Sequence, residues 1–355
     1  MKTLALPVVL SALLLNACGG ASSPSSASGI TGAKSEFPDE PALTTPQDTL
    51  DAALHCTAFT HPDKPAVLLV HGTFTAGQEQ YEWNYIPLLS ARGYDVCAVT
   101  YPDRGLGDQQ ISAEYVVNAL RRLHARTGRK LAMIGHSQGA TMPRWALKWW
   151  PSARAAVADF VMQAGPHHGT LIASPATLEQ QLGLGALPVG LLPAAFYQFT
   201  PGSQFVGALN AGDETPGDID YTNLYTLTDE LVQPAVPVPT AALDWQQNNP
   251  KVANILLQNV CPQQIVDHVT IGTVDSLAFA LALDAIEHAG PADPARIDPA
   301  QVCLNVPIIA NPALAGAGVP ALLTILQGDV ATGAPDPHLT GSEPPLKPYA
   351  QAAAH

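Results

Sequence analysis

The sequence GHSQG at Gly135–Gly139 constrains the fold of this chain more than any other feature. The apolar run LAMI precedes it, and a helix-like stretch from Ala140 to Trp150 follows it. A Gly-X-Ser-X-Gly string between a buried strand and a helix is typical of a strained turn that exposes its serine at the end of a parallel strand. The pattern therefore predicts Ser137 as a nucleophile. Pro143 removes a helical hydrogen bond to the carbonyl of Gly139, so we expect a kink there.

Further apolar segments occur on both sides of this turn without polar alternation. Continuous hydrophobicity of this kind is typical of strands buried on both faces of a parallel sheet. Gln110–Arg126 carries apolar side chains at helical spacing and predicts an amphipathic helix between two strands. We therefore expect an α/β fold with a mostly parallel central sheet and helices on both faces. The predicted strands are Ala66–Val70, Tyr94–Thr100, Leu131–Ile134, Phe160–Ala164 and Asn223–Leu227.

A serine hydroxyl is a weak nucleophile until a histidine removes its proton. In hydrolases with this turn, an acid and then the histidine follow the serine along the chain. His167 and His168 follow Ser137 too closely to leave room for an acid between them. His268 ends the apolar segment Ile265–Asp267, which we interpret as a strand end opening into a loop, and we predict His268 as the base. The other downstream histidines lie on a predicted helix face or in the tail: His288, His338 and His355.

The acid is expected at the end of a strand between the serine and the histidine. The sequence NLYTLTDE runs from Asn223 into two carboxylates. Asp229 is nearer the strand end and is the predicted acid, which would hold the tautomer of the histidine, and Glu230 is the alternative. The acidic residues of the preceding Gly/Pro-rich loop are expected to serve turns: Asp213, Asp218 and Asp220.

Two donors are expected to stabilise the oxyanion of a tetrahedral intermediate. One is the backbone N–H of Gln138, directly after the nucleophile. The other comes from the loop HGTF after the first buried strand, where Thr73 offers a hydroxyl as well as its N–H. This chemistry requires no cofactor and no metal, and we expect none.

Composition and charge limit the partners. With 47% hydrophobic and 13% charged residues, the chain has enough apolar material for a large core. A net charge of −14 repels phosphate backbones, so nucleic acid is not an expected partner. We expect one catalytic domain and a monomer.

The N-terminus is typical of an export signal. Two residues, Met1 and Lys2, precede an apolar run from Leu4 to Leu15, which is too short to span a bilayer as a mature helix. The run ends in LNACG, which resembles a bacterial lipobox with Cys18 as the lipidated residue. The alternative is an ordinary signal peptide cleaved nearby. The chain is expected outside the cytoplasm, as an outer-membrane or cell-surface lipoprotein that contacts the membrane through this anchor, or as a secreted protein.

The rest of the chain divides into three predicted parts. Residues 19–42 are small and polar and predict a linker. Residues 43–340 form the catalytic domain, and 341–355 form a C-terminal tail. Within the domain, 171–210 is rich in Leu, Ala, Gly, Pro and Phe, which indicates either an apolar cap over the site or plain core.

The cysteine count agrees with export. With Cys18 set aside, an even set remains: Cys56, Cys97, Cys261 and Cys303. Four cysteines allow three pairings, and the residues alone leave the pairing open, as they leave open buried free thiols.

Several local sequences together resemble the Candida antarctica lipase B-like lipases of the α/β-hydrolase superfamily. They are LLVHGT from Leu68, WNYIPL from Trp83, NLYTLTDELVQP from Asn223, and VDH from Val266. The resemblance runs from about Cys56 to about Cys303. It implies an α/β-hydrolase fold that hydrolyses acyl esters through an acyl-serine intermediate.

The same resemblance implies roles for residues. Ser137, His268 and Asp229 would be the nucleophile, base and acid. Thr73 and Gln138 would form the oxyanion hole. The implied disulfides are Cys56–Cys97 and Cys261–Cys303.

Three features depart from the family's pattern. The family's type member has no glycine before the nucleophile and carries a tryptophan next to it, whereas this chain has Gly135 and His136. We therefore expect a more polar alcohol side of the pocket. The loop GPHHGT, Gly165–Thr170, looks more like that of conventional bacterial lipases. The C-terminal end matches poorly and lacks the cysteines of the family's disulfide there.

These observations predict a serine carboxylic-ester hydrolase of lipase or esterase type. A polyester depolymerase or an acyltransferase would use the same residues. From a different class, a surface lipoprotein that binds lipid without turnover is the remaining alternative.

Overall fold

The computed structural model describes residues 37–173, 191–304, 306–313 and 339–353. By its contacts the chain divides into Met1–Pro38 and a body, Asp39–His355, which is described below. The predicted signal segment, Cys18, most of the predicted linker and residues 174–190 of the predicted cap lie outside the described residues.

The body is built on a seven-stranded sheet with the order β1-β3-β2-β4-β5-β7-β8. All neighbouring pairs are parallel except β1 with β3. A short antiparallel pair, β6 with β9, lies apart from this sheet. The strands are β1 Leu54–Cys56, β2 Val67–Val70, β3 Val96–Val99, β4 Leu131–His136, β5 Val157–Gln163, β6 Leu192–Pro193, β7 Asp220–Tyr225, β8 Val252–Leu256 and β9 Leu339–Thr340.

Helices cover both faces of the sheet. Successive side chains of a strand point to opposite faces. In β2, Leu68 and Val70 join the core beneath α4 and α5, whereas Val67 and Leu69 join the core beneath α3 and α11. Burial on both faces explains the unbroken hydrophobicity of the strands. The helices are α1 Gln47–Ala52, α2 Gly77–Tyr81, α3 Tyr85–Ser90, α4 Gln109–Thr127, α5 Gln138–Trp149, α6 Pro151–Ala155, α7 Ala194–Gln198, α8 Gln204–Asn210, α9 Leu257–Val260, α10 His268–Ile271, α11 Ser276–Glu287 and α12 Pro299–Val302.

The predicted fold class is confirmed, and two local predictions need correction. The two edge strands of the sheet, β1 and β8, were not predicted, because β1 has no buried side chain and β8 has only Ile255. The segment at His268 was predicted as a strand end, but His268 begins the helix α10. Asp267 caps this helix by accepting the backbone N–H of Thr270 at 2.7 Å, while the Thr270 hydroxyl accepts the N–H of Asp267. The helix α5 runs through Pro143 as one element, and a kink there stays a prediction.

Parts of the predicted linker and tail belong to the body. Within the predicted linker, the Glu40 carboxylate accepts hydrogen bonds from Arg121 and from the backbone N–H of Ser152. Within the predicted tail, the Tyr349 ring packs against the tryptophans of α5, and Ala350 is buried. These apolar and ionic contacts hold both segments against the helices that cover the sheet.

Two disulfides stabilise the body, and both are the pairs that the resemblance implied. Cys56 pairs with Cys97 where β1 meets β3 at the sheet edge. Cys261, just after α9, pairs with Cys303, just after α12. The two bridges span 41 and 42 residues of sequence, respectively.

Candidate active site

Ser137 lies in the turn between β4 and α5. Its backbone has φ 57° and ψ −122°, a conformation that side-chain-bearing residues rarely adopt. The flanking glycines are required by close backbone contacts. A Cβ atom on Gly135 would lie 1.8 Å from the carbonyl oxygen of Gly139, and one on Gly139 would lie 2.2 Å from that of Val70. The turn therefore lifts the serine hydroxyl out of the sheet at the carboxyl end of β4.

His268 and Ser137 are in hydrogen-bond contact. The Oγ atom of Ser137 lies 2.9 Å from Nε2 of His268, although 131 residues of sequence separate them. The His268 side chain is only 5% exposed. Its backbone N–H donates to Oε2 of Glu230 at 3.0 Å. The histidine is thus held by its backbone as well as by its ring.

Asp229 contacts the other ring nitrogen of His268. Its Oδ2 and Oδ1 atoms lie 3.0 and 3.1 Å from Nδ1. A carboxylate only accepts, so Nδ1 carries the proton and the lone pair of Nε2 faces Ser137. Burial lowers the pKa of His268, but the Asp229 carboxylate outweighs this and holds that pKa above its ordinary value. Glu230, the alternative acid, contacts the backbone of His268 rather than its ring.

The Asp229 carboxylate is itself held by the chain. Its Oδ1 atom accepts the backbone N–H groups of Leu231 and Val232 at 2.9 and 2.7 Å. The loop after β7 therefore wraps around the carboxylate and aims it at His268. The structure thus brings together the three residues predicted as nucleophile, base and acid.

The two residues predicted for the oxyanion hole also meet. The Thr73 hydroxyl donates to Oε1 of Gln138 at 3.3 Å, and Nε2 of Gln138 donates to the carbonyl of Gly105 at 2.9 Å. Gln138 is the first residue of α5, so its backbone N–H has no intrahelical acceptor. Gly105 has φ 75°, a left-handed conformation that favours glycine.

An ion pair braces the loop that carries Thr73. The Arg104 guanidinium donates to both carboxylate oxygens of Glu79 at 2.6 and 2.8 Å, and to the carbonyl of Phe74 at 2.9 Å. The backbone N–H of Phe74 in turn donates to the carbonyl of Arg104 at 2.7 Å. Bidentate pairs of this kind fix geometry as well as charge. These contacts restrain Phe74, the residue that follows Thr73.

A mostly apolar pocket opens at Ser137. The Phe196 ring meets the Phe74 ring edge to face, with centroids 5.8 Å apart. Ile172, Phe196 and Phe199 come from the predicted cap segment 171–210. The apolar lining residues are Phe74, Pro166, Ile172, Phe196, Phe199, Leu231, Val232 and Val269. An apolar ligand fits such a surface better than a charged ligand does.

The His136 side chain lines the pocket, and both of its ring nitrogens have partners within the protein. Its Nε2 atom lies 2.7 Å from the carbonyl oxygen of His268, and its Nδ1 atom lies 3.2 Å from Nε2 of Gln80. Both ring nitrogens are therefore used within the protein, and the imidazole offers neither to a ligand. Burial, the largest cause, lowers the pKa of His136 to about 3. A more polar alcohol side of the pocket stays a prediction.

Sequence reasoning missed other residues of the site. Gln80 and Phe196 carry no motif, and only the fold brings them to Ser137. In the GPHHGT loop, Pro166 and Thr170 line the pocket, whereas His167 is buried between Thr141 and Asn223. Within the described ranges, no group of three His, Cys, Asp or Glu side chains is arranged to hold a metal ion.

Comparison with known proteins agrees with this architecture. The family described as "Alpha/beta hydrolase family" matches residues 67–258. The chain is 36% identical over 234 residues to Lipase B of Pseudozyma antarctica, an alignment that covers 64% of each chain. It therefore spans less than two thirds of the length of that relative. The crystal structure of Aspergillus fumigatus lipase B superposes with a TM-score of 0.75 at 29% identity, covering 88% of this chain and 74% of the other. This chain belongs to the α/β-hydrolase family.

Proposed function

We propose that this protein is a serine carboxylic-ester hydrolase of lipase or esterase type, with Ser137, His268 and Asp229 as its catalytic residues. The observation that carries the proposal is the contact of 2.9 Å between Oγ of Ser137 and Nε2 of His268, with Asp229 on the opposite ring nitrogen. The similarity to two proteins named lipase B supports the same conclusion.

In the first half-reaction, the Ser137 hydroxyl attacks the ester carbonyl while Nε2 of His268 takes its proton. The resulting imidazolium is stabilised by the Asp229 carboxylate, which keeps its charge. The negative oxygen of the tetrahedral intermediate is placed near the N–H groups of Gln138 and Thr73 and the Thr73 hydroxyl. His268 then returns the proton to the leaving alcohol, and an acyl-serine remains.

In the second half-reaction, His268 removes a proton from water, which attacks the acyl-serine. Ser137 leaves as its hydroxyl after regaining that proton from His268. The helix α5 directs its positive end at the developing charge in both steps. An acyltransferase differs only in the acceptor, an alcohol in place of water, and a polyester depolymerase only in the length of its substrate.

The pocket supports an acyl ester as the substrate class. Its lining is mostly aromatic and aliphatic, and we propose that segment 171–210, which supplies Ile172, Phe196 and Phe199, acts as a cap over the acyl chain. A protein that binds lipid without turnover has no need of a strained serine in contact with a buried histidine. Backbone strain of this kind persists where function requires it.

A fluorophosphonate probe tests the proposal. We expect the folded protein to be labelled at Ser137, and we expect Ser137→Ala to lose labelling together with p-nitrophenyl ester hydrolysis. The matched control is Ser342→Ala, which removes an exposed hydroxyl and should keep both activities. Ester turnover that survives unchanged in Ser137→Ala would refute the enzyme proposal. Release of ester product with water and with added alcohol as acceptors then distinguishes hydrolase from transferase.

We also propose that the chain is exported and lipidated at Cys18. The two disulfides of the body support an oxidising compartment, where such bonds persist. Mass spectrometry of the membrane-fraction protein is expected to find an acylated Cys18 as the N-terminus. An unmodified N-terminus in that fraction would contradict the lipid anchor and favour a cleaved, secreted form.

A further inference from the structure

The His136 side chain lies between the helix α10, which carries His268, and the segment that carries Gly72 and Thr73. Its Nε2 atom is 2.7 Å from the carbonyl oxygen of His268. Its Nδ1 atom is 3.2 Å from Nε2 of Gln80. The Oε1 atom of Gln80 then accepts the N–H of Gly72 and the hydroxyl of Thr75, each at 2.9 Å. A continuous series of hydrogen bonds therefore runs from the backbone of His268 to the backbone of Gly72.

This series sets the protonation state of His136. A backbone carbonyl only accepts, so Nε2 of His136 must carry a proton. The Gln80 amide has its oxygen on the N–H of Gly72, so it turns its NH₂ group toward Nδ1, which must accept. Both contacts require the neutral imidazole with its proton on Nε2. Burial, which lowers the pKa of His136 to about 3, acts in the same direction.

Two glycines form the slot that holds this ring. A Cβ atom on Gly272, directly after α10, would lie 2.1 Å from Cγ and Cδ2 of His136. A Cβ atom on Gly72 would lie 3.1 Å from Nδ1. His136 and Gln80 are 6% and 3% exposed, so water does not compete strongly for their hydrogen bonds. The ring therefore contacts both the helix of the base and the loop of Thr73.

We propose that His136 and Gln80 are positioning residues that fix the base His268 relative to the oxyanion loop at Thr73. The proposal rests on the proposed function. His268 begins a helix of only four residues, and a helix this short adds little restraint of its own to its first carbonyl. The bond from His136 supplies that restraint, and Gln80 transmits it to the residue before Thr73. Neither side chain needs to touch the reacting atoms.

The neutral state of His136 matters for the same reaction. The rings of His136 and His268 lie 5.0 Å apart between centroids. During turnover His268 becomes positively charged, and a second cation at this distance would oppose that charge. The Gln80 amide keeps His136 neutral, because a proton on Nδ1 of His136 would face the NH₂ group of Gln80. His268 is then the only imidazole of the pair that takes up a proton.

The structural test is ¹⁵N NMR of histidine-labelled Ser137→Ala protein, which needs no turnover. We expect the His136 resonances of a neutral ring with its proton on Nε2 from about pH 5 to about pH 9, around and above the ordinary pKa of histidine. In Gln80→Glu, a carboxylate oxygen replaces the NH₂ group, and we expect a doubly protonated His136 near neutral pH. Gln78→Glu, on the same helix, is the matched control and should leave His136 neutral. A His136 that titrates near its ordinary pKa in Ser137→Ala, or carries its proton on Nδ1, overturns the proposal.

The kinetic test is the rate of fluorophosphonate labelling of Ser137. For His136→Phe and Gln80→Met we expect the limiting labelling rate to fall about fivefold to tenfold, the effect of one neutral hydrogen bond, while the apparent affinity stays within about twofold. A limiting rate equal to that of the wild type in both variants refutes the positioning role. Wild-type protein that is not labelled at all refutes the proposed function instead. Thermal unfolding of each variant identifies any that fails to fold, and the NMR test applies regardless.

Discussion

Replacing Asp229 by asparagine is the most informative perturbation of the proposed mechanism. The side chain keeps its shape, and its oxygen would still accept the N–H groups of Leu231 and Val232, which now both bond to Oδ1. That orientation turns the new NH₂ group toward Nδ1 of His268, which must then accept. The ring proton consequently moves to Nε2, where it points at the Ser137 hydroxyl and prevents proton removal.

The expected magnitude follows from this change of tautomer. The same substitution in serine proteases lowers kcat by about 10⁴-fold, which corresponds to about 5 kcal/mol of transition-state stabilisation. The fold is expected to survive, because the carboxylate's backbone partners keep an acceptor. Loss of the charge also removes the largest influence that raises the pKa of His268, while burial still lowers it, so that pKa falls. Because the base must be neutral, the residual activity should extend to lower pH than in the wild type.

The assay is kcat for a soluble p-nitrophenyl ester across pH, with thermal unfolding as a check on folding. The matched control is Glu230→Gln, which keeps an oxygen for the N–H of His268 and should stay within about tenfold of the wild type, since it loses only an exposed charge. If Asp229→Asn keeps more than a tenth of the wild-type kcat while Glu230→Gln is inactive, the assignment of the acid is wrong.

Three further predictions concern the pocket and the stability of the body. Phe196→Ala removes a buried side chain from the pocket wall, so we expect KM to rise more for long acyl esters than for acetyl esters. The free energy of unfolding should fall by about 3 to 5 kcal/mol. Equal changes in KM for both esters would argue against contact between Phe196 and the acyl chain. Replacing Cys56 and Cys97 together by alanine opens a loop of 41 residues, and chain entropy gives a loss of about 4 kcal/mol in urea unfolding, with activity retained in the folded protein. A loss below about 1 kcal/mol would contradict that entropy argument. Burial first, and then the neighbouring Asp220, raise the pKa of Asp159 to about 7, above its unfolded value of 3.8. Between these values the unfolded chain loses the proton before the folded one does, so stability falls as pH rises. Asp159→Asn should abolish that decline, and urea midpoints of both proteins at acidic and alkaline pH will measure it.

Much of the site could be predicted from local sequence. The strand before Ser137 is continuously apolar because both its faces are covered, and its glycines are needed where backbones touch. Those requirements fall on neighbouring residues of the sequence, so they leave a readable pattern. Ser137, Asp229 and His268 follow the strands β4, β7 and β8, so their order along the chain is the order of those strands.

The surroundings of His268 could not be predicted in the same way. The helix α10 begins with a cap formed by Asp267 and Thr270. In the hydrophobicity pattern, the apolar residues followed by Asp267 look like the end of a strand. The edge strand β8 was missed because only one of its side chains is fully buried.

What the sequence alone predicted is therefore the fold class, the strained turn at Ser137 and the order of the proposed nucleophile, acid and base, since these depend on periodicity, on a short turn and on chain order. Only the tertiary structure decided which carboxylate faces the ring of His268 and which atoms the ring of His136 contacts. Gln80 and His136 are 56 residues apart, and His136 and His268 are 132 apart. A buried polar side chain needs a hydrogen-bond partner, and this can be expected from the sequence. The identity of the partner depends on how strands and loops that are distant along the chain pack together.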